Sequence, residues 1–146
     1  MELKPLDASH DQLLRSLEEQ DDVWEFIGPL PDWEERDASH FFAVMEGPVA
    51  VGVGGLVKSQ ALDGTDFELL CAMRSEAQLR GLARRACQLI LEWAFKTAKV
   101  ERVIACIDDV NEGARSIATK LGMKALRALP PGRTVYVKYR DDDEVT

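Results

Sequence analysis

The stretch Gln78-Leu79-Arg80-Gly81-Leu82-Ala83-Arg84 combines residue types suited to holding an anion. Glycine at 81 and a small residue at 83 let the backbone approach a ligand closely, while Arg80 and Arg84 add positive charge. The stretch falls between an apolar run of strand type and the longest helical pattern in the chain. The first N–H groups of a helix have no partners within it and attract anions, so the chemistry is binding of a phosphate or diphosphate. An ordinary loop and helix start has the same local appearance, and the surrounding elements must decide. Upstream, Cys71 within the apolar run has the setting of an inert core thiol rather than a nucleophile.

The elements around these residues follow from period and punctuation. Residues 2–6 read as a short strand, after which Asp7 and Ser9 offer N-caps for a helix through Leu13, Leu14 and Leu17. A weaker helix is expected over 21–27, followed by a loop over 28–39 that contains Trp33. Residues 41–45 and 49–57 read as strands of a hairpin, with Gly52, Gly54 and Gly55 marking a bulge or a close backbone approach. Residues 67–73 form another strand. The long helix follows, with Leu82, Ala86, Leu89, Ile90 and Trp93 on its apolar face and its end near Lys99. Residues 103–107 read as a central strand covered on both faces, 111–121 as a helix stopped by Gly122, and 124–129 and 134–139 as closing strands. The expected architecture is a mixed α/β sandwich, with helices on both faces of a mixed, mostly antiparallel sheet of about six or seven strands.

The pattern at Gln78, Gly81 and Ala83 resembles the pyrophosphate loop of the GNAT superfamily of N-acetyltransferases. Residues 102–108, then Asn111-Glu112-Gly113-Ala114 through Lys120-Leu121-Gly122-Met123, resemble the next two elements of that superfamily in the right order. Two motifs about 30 residues apart are far more specific than one. The resemblance covers most of residues 1–140, read as one domain, with an acidic tail over 141–146.

The resemblance implies strands four and five splayed apart, with the pantetheine arm of acetyl-CoA between them. Backbone groups around Leu70, Ala72 and Met73 would bond that arm, and one N–H would polarise the thioester carbonyl. The diphosphate would rest on Leu79, Arg80, Gly81, Leu82, Ala83 and Arg84, with Gln78 at the head of the loop. Asn111 matches a position that bonds the pantetheine arm, and an N-cap is its other reading. The implied reaction is direct attack of a primary amine on the thioester. Many members carry a tyrosine where this chain has Ala118, so that general acid is missing. In the histone-acetyltransferase branch the catalytic glutamate stands four residues before the cysteine, a place held here by Phe67. Glu68 takes that role where a bulge intervenes.

The net charge of -8 is unevenly spread. Residues 1–40 hold twelve acidic against three basic side chains, whereas residues 41–140 hold ten against fifteen. An acidic front end argues against phosphate-driven nucleic-acid binding and, beside an acceptor site, favours a cationic amine or a basic peptide end. No apolar run approaches a membrane span, and three widely spaced cysteines suit a reducing compartment, so a cytoplasmic protein without membrane association is expected. Neither His10 nor His40 lies near a cysteine pair, and no metal is expected. The resemblance also implies homodimers as a frequent assembly. Two alternatives stand beside the enzyme: a noncatalytic acyl-CoA-binding or sensor module of the same fold, and an interaction domain working through the acidic face.

Overall fold

The computed structural model describes residues 1–18, 40–74 and 81–141. In chain order these form β1 (Glu2–Pro5), α1 (Asp11–Glu18), β2 (Phe41–Glu46), β3 (Val49–Ser59), β4 (Asp66–Met73), α2 (Leu82–Lys96), β5 (Arg102–Asp108), α3 (Glu112–Lys120), β6 (Lys124–Leu129) and β7 (Arg133–Tyr139). The expected helix over 21–27 and loop over 28–39 lie outside the described residues, as do Gln78, Leu79 and Arg80.

The strands form one seven-stranded sheet in the order β1-β2-β3-β4-β5-β7-β6. Every neighbouring pair is antiparallel except β4 and β5, which run parallel. One face packs on α2 and α3, where Leu69, Cys71 and Met73 of β4 meet Ala86, Cys87 and Ile90 of α2 and Ala114 and Ala118 of α3 in a single buried cluster. On the opposite face Leu70 and Ala72 pack with Leu13, Leu14 and Leu17 of α1. At 8 residues, α1 is too short to persist alone, and burial of its three leucines at roughly 2 kcal/mol each holds it on the sheet.

Two sequence expectations are corrected in detail. The buried stripe of α2 is Ala83, Ala86, Cys87, Ile90, Leu91, Ala94 and Phe95, so Leu82, Leu89 and Trp93 form its half-buried margins. One glycine of β3, Gly54, makes room for the Ile90 side chain of the helix. A Cβ at Gly54 would stand 2.5 Å from Ile90 Cδ1 and 3.1 Å from the Leu70 carbonyl oxygen, and one at Gly55 would strike the His40 carbonyl. Second, α2 ends at Lys96, three residues early, where the N–H groups of Thr97 and Ala98 both close on the Trp93 carbonyl and Lys99 turns to φ 57°. The glycine run carries both expected features, since the β2–β3 register also shifts opposite Val44 and Met45, leaving Val51 as the extra residue.

The β4–β5 contact decides the site. Backbone partners are only Phe67 with Val103 and Glu68 with Ile104, although both strands continue well beyond them. Just below, Arg102 grips Asp66 with both arms of its guanidinium, Nε to Oδ1 at 2.6 Å and Nη2 to Oδ2 at 2.9 Å. Asp66 is 5% exposed, and this carboxylate, followed by the Tyr139 hydroxyl, raises Arg102 above the usual arginine value. Asp66→Asn keeps the shape and removes the charge. Since the guanidinium is partly exposed, the loss in unfolding free energy is expected at about 2 kcal/mol by urea denaturation. A variant as stable as the parent would show that the pair does not secure this junction.

Candidate functional site

Above Glu68 the two strands part. β4 stays paired to β3 up to Met73, and β5 stays paired to β7 up to Asp108, so the gap between them opens toward their C-terminal ends. Pairing parity sets what the gap offers. The Arg74 N–H donates to the Val51 carbonyl at 2.8 Å, which fixes the even-numbered residues of β4 as those whose N–H and C=O face β3. Leu69, Cys71 and Met73 therefore turn their backbone groups toward β5, but the parallel pair of Glu68 with Ile104 spends the Leu69 N–H on the Ile104 carbonyl, so the gap above it is edged by the Leu69 carbonyl and by the N–H and C=O of Cys71. Two of the three expected backbone partners are corrected: Leu70 and Ala72 spend their N–H and C=O on β3, whereas Met73 has the opposite parity. On the other wall the Arg140 N–H bonds the Glu101 carbonyl at 2.9 Å, and the same parity turns Ile104 and Cys106 toward β4. Ile104 is spent on Phe67 and Leu69 in the junction, which leaves Cys106 to face the gap.

At the mouth of the gap α2 begins. Gly81 stands at its N-cap with φ 73°, a left-handed conformation natural to glycine, and supplies no side-chain cap. Its added Cβ would meet nothing within 4 Å. The first turn carries no acidic residue, and Arg84 and Arg85 are exposed there. Basic residues at a helix N-terminus oppose the helix dipole, an arrangement that an anion bound at the N–H groups of Leu82, Ala83 and Arg84 reconciles. Ala83 is buried against the core, so its contribution is its backbone alone. Asn111 acts as the N-cap of α3, its Oδ1 accepting the Ala114 N–H at 3.1 Å. Any contact with a ligand in the gap would fall to its Nδ2. Ala118 is fully buried in the core and leaves no hydroxyl at its position.

Glu68 lies at the floor of the gap. The β3–β4 register runs unbroken from Gly52–Met73 to Ser59–Asp66, so the bulge needed to place Glu68 where Phe67 stands is absent. Phe67 faces the α2 side, stacked on His40 with centroids 5.2 Å apart, and Glu68 faces the α1 side. The likeness to the histone-acetyltransferase branch therefore does not carry a role onto Glu68, and its position must be judged by its own surroundings. Its Oε1 accepts the Ser59 hydroxyl at 2.9 Å, and the Cys106 thiol lies near enough to feel its charge. Neither neighbour stands out in the sequence, because only the pairing of β3, β4 and β5 brings them together.

Burial, and next the Glu68 carboxylate, push the Cys106 thiol up from 9.0 to about 12. Cys87 is raised as well, by a hydrogen bond with Cys71 and by burial. These sulfurs stay protonated at physiological pH and are poor nucleophiles, which disfavours an acyl-cysteine relay. For Cys106 the folded value lies above the unfolded one. Its contribution to stability is complete below about pH 9 and is lost as pH rises through 12. Iodoacetamide at pH 8.5 is expected to label all three cysteines of the urea-unfolded chain and none of the native chain within the same time, read by intact mass. Rapid labelling of the native protein at Cys106 would contradict this burial.

Among the described residues no helix is long and apolar enough to cross a membrane, and no group of three His, Cys, Asp or Glu side chains could hold a metal ion. The overall geometry recurs in known structures. Spermidine N-acetyltransferase from Vibrio cholerae, solved with CoA and spermine, superposes with a TM-score of 0.81 at 13% identity, covering 97% of this chain and 96% of that one. An acetyltransferase from Agrobacterium tumefaciens gives 0.76 at 18% identity over 94% and 89% of the two chains. A GNAT-family acetyltransferase from Bacillus anthracis gives 0.76 at 18% identity over 95% and 94%. At these identities the likeness establishes the fold. No protein of curated function matches the sequence at a significant level. A family model described as the acetyltransferase (GNAT) domain matches residues 2–124, and the chain belongs to that family.

Proposed function

We propose that this protein transfers an acetyl group from acetyl-CoA to a primary amine by direct attack. The observation that carries this reading is the gap between β4 and β5, edged by the Leu69 carbonyl and the N–H and C=O of Cys71 on one wall and by Cys106 on the other, and leading to the uncapped start of α2. A pantetheine arm is a chain of amides, and an open strand edge binds such a chain as an added strand. The N–H groups at Leu82, Ala83 and Arg84, with Arg84 and Arg85, hold the diphosphate at the mouth, and Gln78, Leu79 and Arg80 lead into that loop. The thioester supplies an activated acetyl group.

With the diphosphate at the mouth, the acyl end points to the floor, where Glu68 sits. The cleft-facing N–H of Cys71 polarises the acyl carbonyl. Glu68 accepts the proton that the amine loses as the C–N bond forms. It returns that proton to the sulfur as the C–S bond breaks, which covers the task left open by Ala118. The acceptor is a cationic amine of the polyamine type. Support comes from the twelve acidic side chains of residues 1–40 and from the neighbouring Vibrio cholerae enzyme, whose structure holds spermine.

The reading is tested by calorimetry with acetyl-CoA beside a pantetheine thioester lacking the nucleotide, followed by a thiol-release assay over amines. Binding that needs the diphosphate, and turnover of spermidine or spermine above that of neutral amines, are expected. Tight binding without turnover of any amine would favour the noncatalytic acyl-CoA module. Gly81→Glu should weaken acetyl-CoA at least tenfold through bulk and charge at the diphosphate. Its left-handed backbone costs about 1 kcal/mol, a fall in Tm of about 2–4 °C. Unchanged affinity in that variant would remove the diphosphate from this loop.

A further inference from the structure

The floor of the cleft carries more than one carboxylate. Four strands each send one side chain to it: Ser59 from the end of β3, Glu68 from β4, Cys106 from β5 and Arg133 from β7. Glu68 stands in the last β4–β5 backbone pair, with Ile104, and Cys106 lies two residues farther along β5 on the same face. The carboxylate therefore lies just above the junction, on the face that Cys106 shares across the gap and near enough for its charge to raise that thiol. The Ser59 side is equally defined. The Ser59 Oγ accepts the Ala61 N–H at 3.2 Å, which leaves the hydroxyl proton to point at Glu68 Oε1, 2.9 Å away. Ser59 is 5% exposed, so this bond competes little with water. On the far wall Arg133 Nη2 donates to the Cys106 carbonyl at 3.2 Å and its Nε lies 3.5 Å from Asp108 Oδ1, which steadies the strand that carries the thiol.

We propose that Ser59 is a positioning residue for acetyl transfer: its hydroxyl holds the Glu68 carboxylate in the orientation that receives the proton of the attacking amine. The inference rests on the functional reading above and extends it to a residue that touches neither substrate. Glutamate has three rotatable bonds, and a free carboxylate at this point would spend much of its time turned away from the cleft. A buried donor on the neighbouring strand restricts that freedom before substrate arrives, and positioning of this kind acts on the transition state rather than on binding. Arg133 completes the arrangement by satisfying a carbonyl that parity turns into the cleft.

The test compares Ser59→Ala, Ser59→Thr and Cys106→Ala with the wild-type protein, after urea denaturation has confirmed that each is folded at the assay temperature. Ser59→Ala is expected to lower kcat for the amine about tenfold, with the KM for acetyl-CoA within twofold of wild type, and Ser59→Thr to recover most of the loss. The infrared S–H stretch of Cys106, identified by its disappearance in Cys106→Ala, supplies a readout without turnover. Release of the carboxylate in Ser59→Ala should shift or broaden that band, and Ser59→Thr should restore it. A Ser59→Ala protein with wild-type kcat, or with an unmoved S–H band, would overturn the positioning role. A wild-type protein that acetylates no amine would overturn the parent reading and this inference together. Wild-type turnover matched by Ser59→Ala would overturn this inference alone.

Discussion

The bidentate bond between Arg102 and Asp66 pins β4 to β5 at the one place where the sheet is about to divide. Two backbone pairs lie above it, and then the strands separate. Parallel strands that share a register ordinarily continue to pair, so the separation needs a cause on each side. β4 is bound along its whole length to β3, and β5 along its whole length to β7. Each half-sheet follows its own twist, and beyond the pinned end the two diverge. The residues beneath the opening, Leu69, Cys71, Met73, Ala105 and Ile107, are fully covered by α2 and α3, which closes the cleft from that side. Without the pin, the same twist would act on two half-sheets joined by two residues.

The cleft divides its chemistry between its ends. Its mouth is electropositive, through the uncapped N-terminus of α2 and the exposed Arg84 and Arg85. The floor carries the Glu68 carboxylate, held by the neutral Ser59 hydroxyl. Such a gradient orients a ligand that is negative at one end and must meet an amine at the other. The walls between are backbone, which recognises the amides of an extended chain without regard to side chains. The nearby Cys106 thiol, raised by burial and next by the Glu68 carboxylate, stays protonated and adds no second negative charge there.

Much of this was legible in the residues. Among the described residues the order of strands and helices, the stop at Gly122 and the cap at Asn111 rest on local rules and stand in the structure. What the sequence leaves open is whatever depends on register. Leu70 and Ala72 were indistinguishable from Leu69 and Cys71 as backbone partners until the Arg74–Val51 bond fixed which residues face β3. Glu68 was tied to a bulge that the unbroken β3–β4 ladder excludes, and its surroundings depend on Ser59, nine residues away, and Cys106 on another strand. The buried stripe of α2 kept Ala86 and Ile90 but was drawn too far toward Leu82, Leu89 and Trp93. Ala83, Cys87, Leu91, Ala94 and Phe95 are buried instead, because the direction in which the helix faces the sheet is set by the strands beneath it.

The central claim is that the gap between β4 and β5 receives a pantetheine arm as an added strand, with the diphosphate on the first turn of α2. Amide hydrogen exchange with and without CoA, resolved to single residues, reads this directly. The account predicts that CoA slows exchange at the N–H of Cys71 and at those of Leu82, Ala83 and Arg84. It also predicts that Leu70 and Ala72, already bonded to β3, change little. Protection confined to other parts of the sheet, or equal at odd and even residues of β4, would contradict it.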